Sequence, residues 1–220
     1  RAFMEYSNGI VGDMCIHMLD MVRWMLDLGW PNTVSSTGGI LVEKDSNANT
    51  TDTQTAVCDY GNLQIVWKHR TYGDMPDPDY PWAATLYGDK GTLKASVYKY
   101  EYFERGKQQP ALQGEALYEY DTYPEDRTEK DLERHVASAM RRHWRNYLES
   151  VDARTRPVAD IEQGFISSAA CIMANMSVEL GGPALAYDPR SGRVNGARRA
   201  NALRARPYRV PWEHPTPETV

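Results

Sequence analysis

The chain has 220 residues, 41% of them apolar and 25% charged, with a formal charge of −5. This length can bury one sizeable core, and the composition is that of an ordinary globular domain. The acidic excess argues against a surface-wide nucleic-acid-binding role, and no apolar run approaches the roughly 18 residues of a membrane span. Cys15, Cys58 and Cys171 are far apart in sequence and sit in apolar patterns, so reduced, buried thiols are expected rather than a disulfide framework. No signal-like segment follows Arg1. The first residue is arginine rather than methionine, so targeting is unreadable; a cytoplasmic setting is favoured and export stays open.

Turn residues Ser7, Asn8, Gly9 and Gly12 precede a helical pattern over residues 13–28, which stops at Gly29 and Pro31. The period then changes. Strand-like runs are expected at 33–42, 53–60, 63–72, 82–87, 92–97, 98–104 and 116–120. Gly61-Asn62 and the Gly88–Gly91 stretch read as hairpin turns between them. Helical patterning returns over 132–153, and a third helix, with Asp160 as N-cap, runs to Leu180 before Gly181-Gly182-Pro183. Helix, strands, then helices predicts an α+β domain over residues 1–183 with a mainly antiparallel sheet. The Arg-, Asn- and Pro-rich residues 184–220 read as an extended arm packing on the same domain or a neighbouring subunit. Nowhere does a strand lead through Gly-x-Gly-x-x-Gly into a helix, so nothing here seats a dinucleotide pyrophosphate.

The first helix carries the chemistry. At about 100° per residue, setting Asp13 at zero places His17 near 40°, Asp20 near 340° and Trp24 near 20°. The remaining circumference is mostly apolar, which predicts a largely buried helix. Two carboxylates and a histidine on one line then need partners or a cavity. Three readings stay open on spacing alone. Asp13 and His17 form a structural i,i+4 pair; or Asp13, His17 and Asp20 ligate a metal; or His17 transfers a proton near neutral pH with Asp13 orienting it.

The run Gly12-Asp13-Met14-Cys15-Ile16-His17-Met18-Leu19-Asp20, then Arg23-Trp24, resembles the Gfo/Idh/MocA oxidoreductase family just after its nucleotide-binding domain. Further resemblances follow in order: Thr51-Asp52-Thr53, Trp67-Lys68-His69-Arg70, Tyr87 through Leu93, Arg156 through Gly164, and Ala200 through Trp212. The resemblance implies the C-terminal, glyceraldehyde-3-phosphate-dehydrogenase-like domain of such an enzyme, an open antiparallel sheet with helices on one face. It implies that His17 takes a proton from a substrate hydroxyl and that Asp13 binds substrate or steadies His17. It also implies NAD or NADP held mainly by an N-terminal Rossmann domain that this chain lacks, together with that domain's catalytic lysine. The fragment alone is then inactive and is not expected to hold the cofactor. The substrate would be a sugar, polyol or glycoside hydroxyl. Departures from the family pattern are Cys15, where relatives usually carry glycine, and Glu179, Gly181 and Gly182 where many carry two arginines.

Asp20, His69 and Arg70 are the candidate substrate-binding residues; strand alternation sends His69 and Arg70 to opposite faces, so only one of that pair reaches a given site, and a solvated cross-strand partner is the favoured role for both. The tail's seven arginines from Arg190 to Arg209 read as packing rather than nucleic-acid contacts. Tyr98, Tyr100, Tyr102, Tyr118, Tyr120 and Tyr123 follow strand alternation and suit an interface, so a homodimer or higher oligomer through the open sheet face is expected. Rival functions are NAD-dependent glycoside cleavage through a transient keto-sugar, a non-catalytic sugar-binding or assembly module, and a metal-dependent hydrolase or isomerase.

Overall fold

A computed structural model describes residues 1–206 and 208–215. The chain divides into two compact units, residues 1–73 with 165–220, and residues 74–164. The strands are antiparallel, as the alternating patterns predict, but they divide among sheets of three, four and two strands. The α+β class therefore holds, with the sheet split rather than continuous.

In the first unit, alternation along β2 (Thr53–Asp59) puts Gln54, Ala56 and Cys58 on one buried face. Its register with β1 (Thr33–Gly39) and β3 (Gln64–Arg70) sets Val34 and Ser36, then Ile65, Trp67 and His69, beside them. Gly61-Asn62 forms the expected tight connection between β2 and β3. This face shares one apolar core with α1 (Ile16–Leu26) and α3 (Ile161–Glu179), through Cys15, Leu19, Ala170, Cys171, Met173 and Ala174. All three cysteines are buried and free, as expected. Burial, then the neighbouring Cys171, pushes the Cys58 thiol up to about 12. A polar seam runs through the same layer. Gln54 is 1% exposed, and its amide donates to Ser36 Oγ at 3.0 Å and accepts from Thr51 Oγ1 at 2.7 Å. Ser177 Oγ accepts the Ser36 N–H at 2.8 Å, which ties α3 to the sheet. Buried polar groups satisfied in this way fix strand register, because a slip would orphan each of them.

The sequence reads residues 184–220 as an irregular arm; the structure folds much of it into this unit. Leu185 bridges Val34, a ribbon forms from β8 (Tyr187–Asp188) and β9 (Arg193–Val194), and α4 (Arg198–Ala202) follows. Leu185, Val194 and Ala200 are 2% exposed or less. Residues 207 and 216–220 of that arm lie outside the described residues.

The second unit is a four-stranded sheet, β4 (Ala83–Tyr87), β5 (Gly91–Ser96), β6 (Lys99–Glu104) and β7 (Leu112–Glu115), with α2 (Arg134–Ala153). The expected strand at 116–120 is absent, and β7 lies just before it. Opposite those residues β6 has not yet begun: Ser96 Oγ holds the N–H groups of Tyr98 and Lys99 in a turn. Ala116 makes a last bond to the Tyr98 carbonyl at 2.7 Å, and the chain then leaves the sheet. Glycine weakens the β7 pattern in sequence, yet Gly114 is required there. A Cβ at that position would stand 2.5 Å from Tyr100 Cε1, so the ring covers the bare glycine. Of the expected tyrosine face, Tyr100 and Tyr102 share one side of β6. Tyr118 and Tyr120 stack on each other outside it, and Tyr123 lies 3.8 Å beneath the Arg141 guanidinium.

Candidate active site

Asp13 sits in a π-helical turn, Val11–Cys15, that runs directly into α1. Single π turns inside helices are uncommon and concentrate at functional sites. Gly12 permits this one, because a Cβ there would fall 2.3 Å from the Asn8 Cβ. The sequence reading of a largely buried helix is corrected here: burial is one-sided. Val11, Cys15, Met18, Leu19 and Val22 face the core, whereas Asp13, His17, Asp20 and Trp24 all lie exposed. The stripe read from periodicity is thus a displayed row of acid, imidazole and acid with an indole at its end.

Each carboxylate has a defined holder. Asp13 Oδ2 accepts from Arg1 Nη1 at 2.6 Å. Asp20 Oδ1 accepts from Ser167 Oγ at 2.6 Å, and that oxygen itself accepts from Arg23 Nη1 at 2.6 Å. Arg23 is only 2% exposed, an unusual place for a guanidinium that the sequence does not announce. Among the described residues no group of three His, Cys, Asp or Glu side chains is arranged to hold a metal ion.

Arg1 also lines a cavity of about 240 Å³, together with Thr50, Thr51, Asp52 and Thr71, just below the usual size of ligand pockets. His69 acts on this cavity indirectly. Trp67 Nε1 donates to His69 Nδ1 at 2.9 Å, and His69 Nε2 faces the Thr51 carbonyl at 3.3 Å. With Nδ1 accepting, Nε2 carries the proton, and His69 becomes a brace for Thr51. Burial lowers its pKa, against the opposing pull of Thr51 and the Asp52 charge. Arg70 falls on the opposite face of β3 and is exposed, so the structure does not bring it to this cavity. A larger cavity, about 780 Å³, lies in the second unit along the apolar side of α2.

Asp52, which the sequence places in the Thr51-Asp52-Thr53 run without a role, anchors the backbone around this cavity. Its carboxylate accepts the N–H groups of Leu41, Val42 and Glu43 at 3.0, 2.9 and 2.8 Å, and the Thr53 hydroxyl at 2.7 Å. Burial opposes its ionisation, but these four donors outweigh it and hold the carboxyl well below its ordinary 3.8. A folded value below the unfolded one means stability that is complete above the unfolded value and is lost as pH falls from there through the folded value. Asp52→Asn is therefore expected to lower the melting temperature at pH 7 by several degrees and to flatten the loss of stability between about pH 4 and 2. A variant melting like the native chain at pH 7 excludes this anchoring.

The fold is α+β, and α1 displays an acid–imidazole row on its exposed side. The chain belongs to the Gfo/Idh/MocA oxidoreductase family; residues 1–184 match the family model described as "Oxidoreductase family, C-terminal alpha/beta domain". An oxidoreductase from Pseudomonas syringae superposes with a TM-score of 0.58 at 16% identity, covering 81% of this chain and 52% of that one. Myo-inositol dehydrogenase from Lactobacillus casei, solved with NAD(H) and myo-inositol, gives 0.50 at 18% identity, covering 84% and 50%. At such identities the likeness is one of fold. The chain spans about half the length of the solved structures it matches. No curated protein matches it.

Proposed function

We propose that this chain supplies the substrate side of an NAD(P)-dependent dehydrogenase site acting on a sugar or polyol hydroxyl. The observation that carries the reading is the exposed row of Asp13, His17 and Asp20 on one side of a helix whose other side is core. An imidazole displayed between two held carboxylates can accept a hydroxyl proton while the carboxylates receive neighbouring hydroxyls. Family membership supports the assignment of His17 as base and Asp13 as its partner. His69 enters only through Thr51, and Arg70 has no part in this reading.

The dinucleotide does not fit this chain's own residues. No glycine-rich turn joins a strand to a helix here, so the hydride acceptor must come from another domain. Titration of NAD(H) and NADP(H) into this chain is expected to show no micromolar binding. The protein joined to a nucleotide-binding domain is expected to reduce NAD or NADP with a member of a panel including myo-inositol. Micromolar cofactor binding by this chain alone would overturn the division of labour. Turnover with no net NADH released would favour glycoside cleavage instead. The apolar side of the second sheet, with Leu86, Leu93, Tyr100 and Leu112, supports a homodimer, and light scattering at a monomer mass excludes it.

A further inference from the structure

The geometry points to Ser167 as a positioning residue for the substrate-facing carboxylate of Asp20, with Arg23 as the buried charge behind it; this rests on the reading of the α1 row given above. Ser167 lies on α3 and is 1% exposed, and Asp20 lies on α1 with its side chain 53% exposed. The serine hydroxyl therefore joins a buried cation to a displayed anion. Its oxygen accepts from Arg23 Nη1 at 2.6 Å, which directs its single proton away, and that proton is donated to Asp20 Oδ1 at 2.6 Å. Arg23 is held in turn by the carbonyls of Leu28 and Gly29, at 2.9 and 3.3 Å, so it cannot swing out to Asp20 without giving them up. The direct Arg23–Asp20 separation is 3.9 Å, too long for a hydrogen bond. The serine is thus the link through which the core fixes this carboxylate.

An exposed aspartate ordinarily samples several rotamers. One whose Oδ1 is pinned from a different helix presents Oδ2 in a single direction, ready to accept from a ligand hydroxyl without an ordering cost at binding. Pre-orientation of this kind acts on substrate binding rather than on the proton transfer at His17. Loss of Ser167 is accordingly expected to show in KM and to spare kcat.

Two measurements test this. In this chain, side-chain couplings of Asp20 by NMR are expected to report one rotamer, with averaging in Ser167→Ala and recovery in Ser167→Thr, which keeps the hydroxyl. Averaging in the native chain, or one rotamer retained in Ser167→Ala, overturns the role. In the two-domain protein, with the panel polyol that it oxidises, Ser167→Ala is expected to raise KM about tenfold with kcat within about twofold, and Ser167→Thr to restore it. Because Ser167 acts through Asp20, Ser167→Ala is expected to add nothing in an Asp20→Asn background. Independent, multiplying effects would reduce Ser167 to a packing residue. If no polyol is oxidised, the dehydrogenase reading fails, while the couplings still decide whether Ser167 orients Asp20.

Discussion

Replacing His17 with asparagine is expected to cut turnover of the two-domain protein by about 100- to 10,000-fold, the usual worth of a positioned general base. Asparagine keeps a polar side chain of similar reach and can still donate and accept hydrogen bonds, but it cannot take up the hydroxyl proton. His17 is exposed on α1, so the substitution opens no cavity in the core, and the melting temperature should stay within about 2 °C of the native value. Unchanged turnover, or a loss matched by unfolding, would sink the assignment. Asp13→Asn tests a different point. Its carboxylate is paired to Arg1, so this variant shows whether that charge steadies the site or only anchors the start of the chain.

Periodicity made most of the fold readable. The apolar spacing of residues 13–28, the alternation of β2 and the Gly61-Asn62 turn are local features, and each predicted its element. The row of Asp13, His17, Asp20 and Trp24 was readable for the same reason, although its exposure was not. Counting at 100° per residue locates a stripe, yet only packing shows which stripe faces the core. The π turn at Val11–Cys15 has no sequence signature in spacing, since it depends on Asn8 closing over Gly12. Asp52 was readable only as part of a motif, because its four donors converge only when the 41–43 backbone folds back. Val194 and Ala200 stand among arginines and asparagines, and Leu185 follows the Gly181-Gly182-Pro183 stop. Their partners lie far away in sequence, and no short window reveals that they complete a core. Arg23 was visible only as a member of an ordered motif, without a reason for being arginine.

That reason supports the second large effect: Arg23→Met is expected to destabilise the chain by about 3 kcal/mol, a fall of roughly 6–12 °C in melting temperature. Arg23 stands one turn from the C-terminal end of α1, where the last carbonyls of a helix lack intrahelical donors. Asp27 turns left-handed at φ 50° to end the helix, which brings the Leu28 and Gly29 carbonyls back toward the Arg23 side chain. The guanidinium fork then serves two backbone carbonyls and the Ser167 hydroxyl at once, in a site 2% exposed. Methionine matches the length of the stem and fills the space, so the loss measures the missing donors rather than a cavity. Lysine should recover only part of it, because one ammonium cannot reach three acceptors held in fork geometry. A drop below about 2 °C for methionine would show that the carbonyls find water instead, and that the buried arginine serves the orientation of Asp20 rather than the stability of α1.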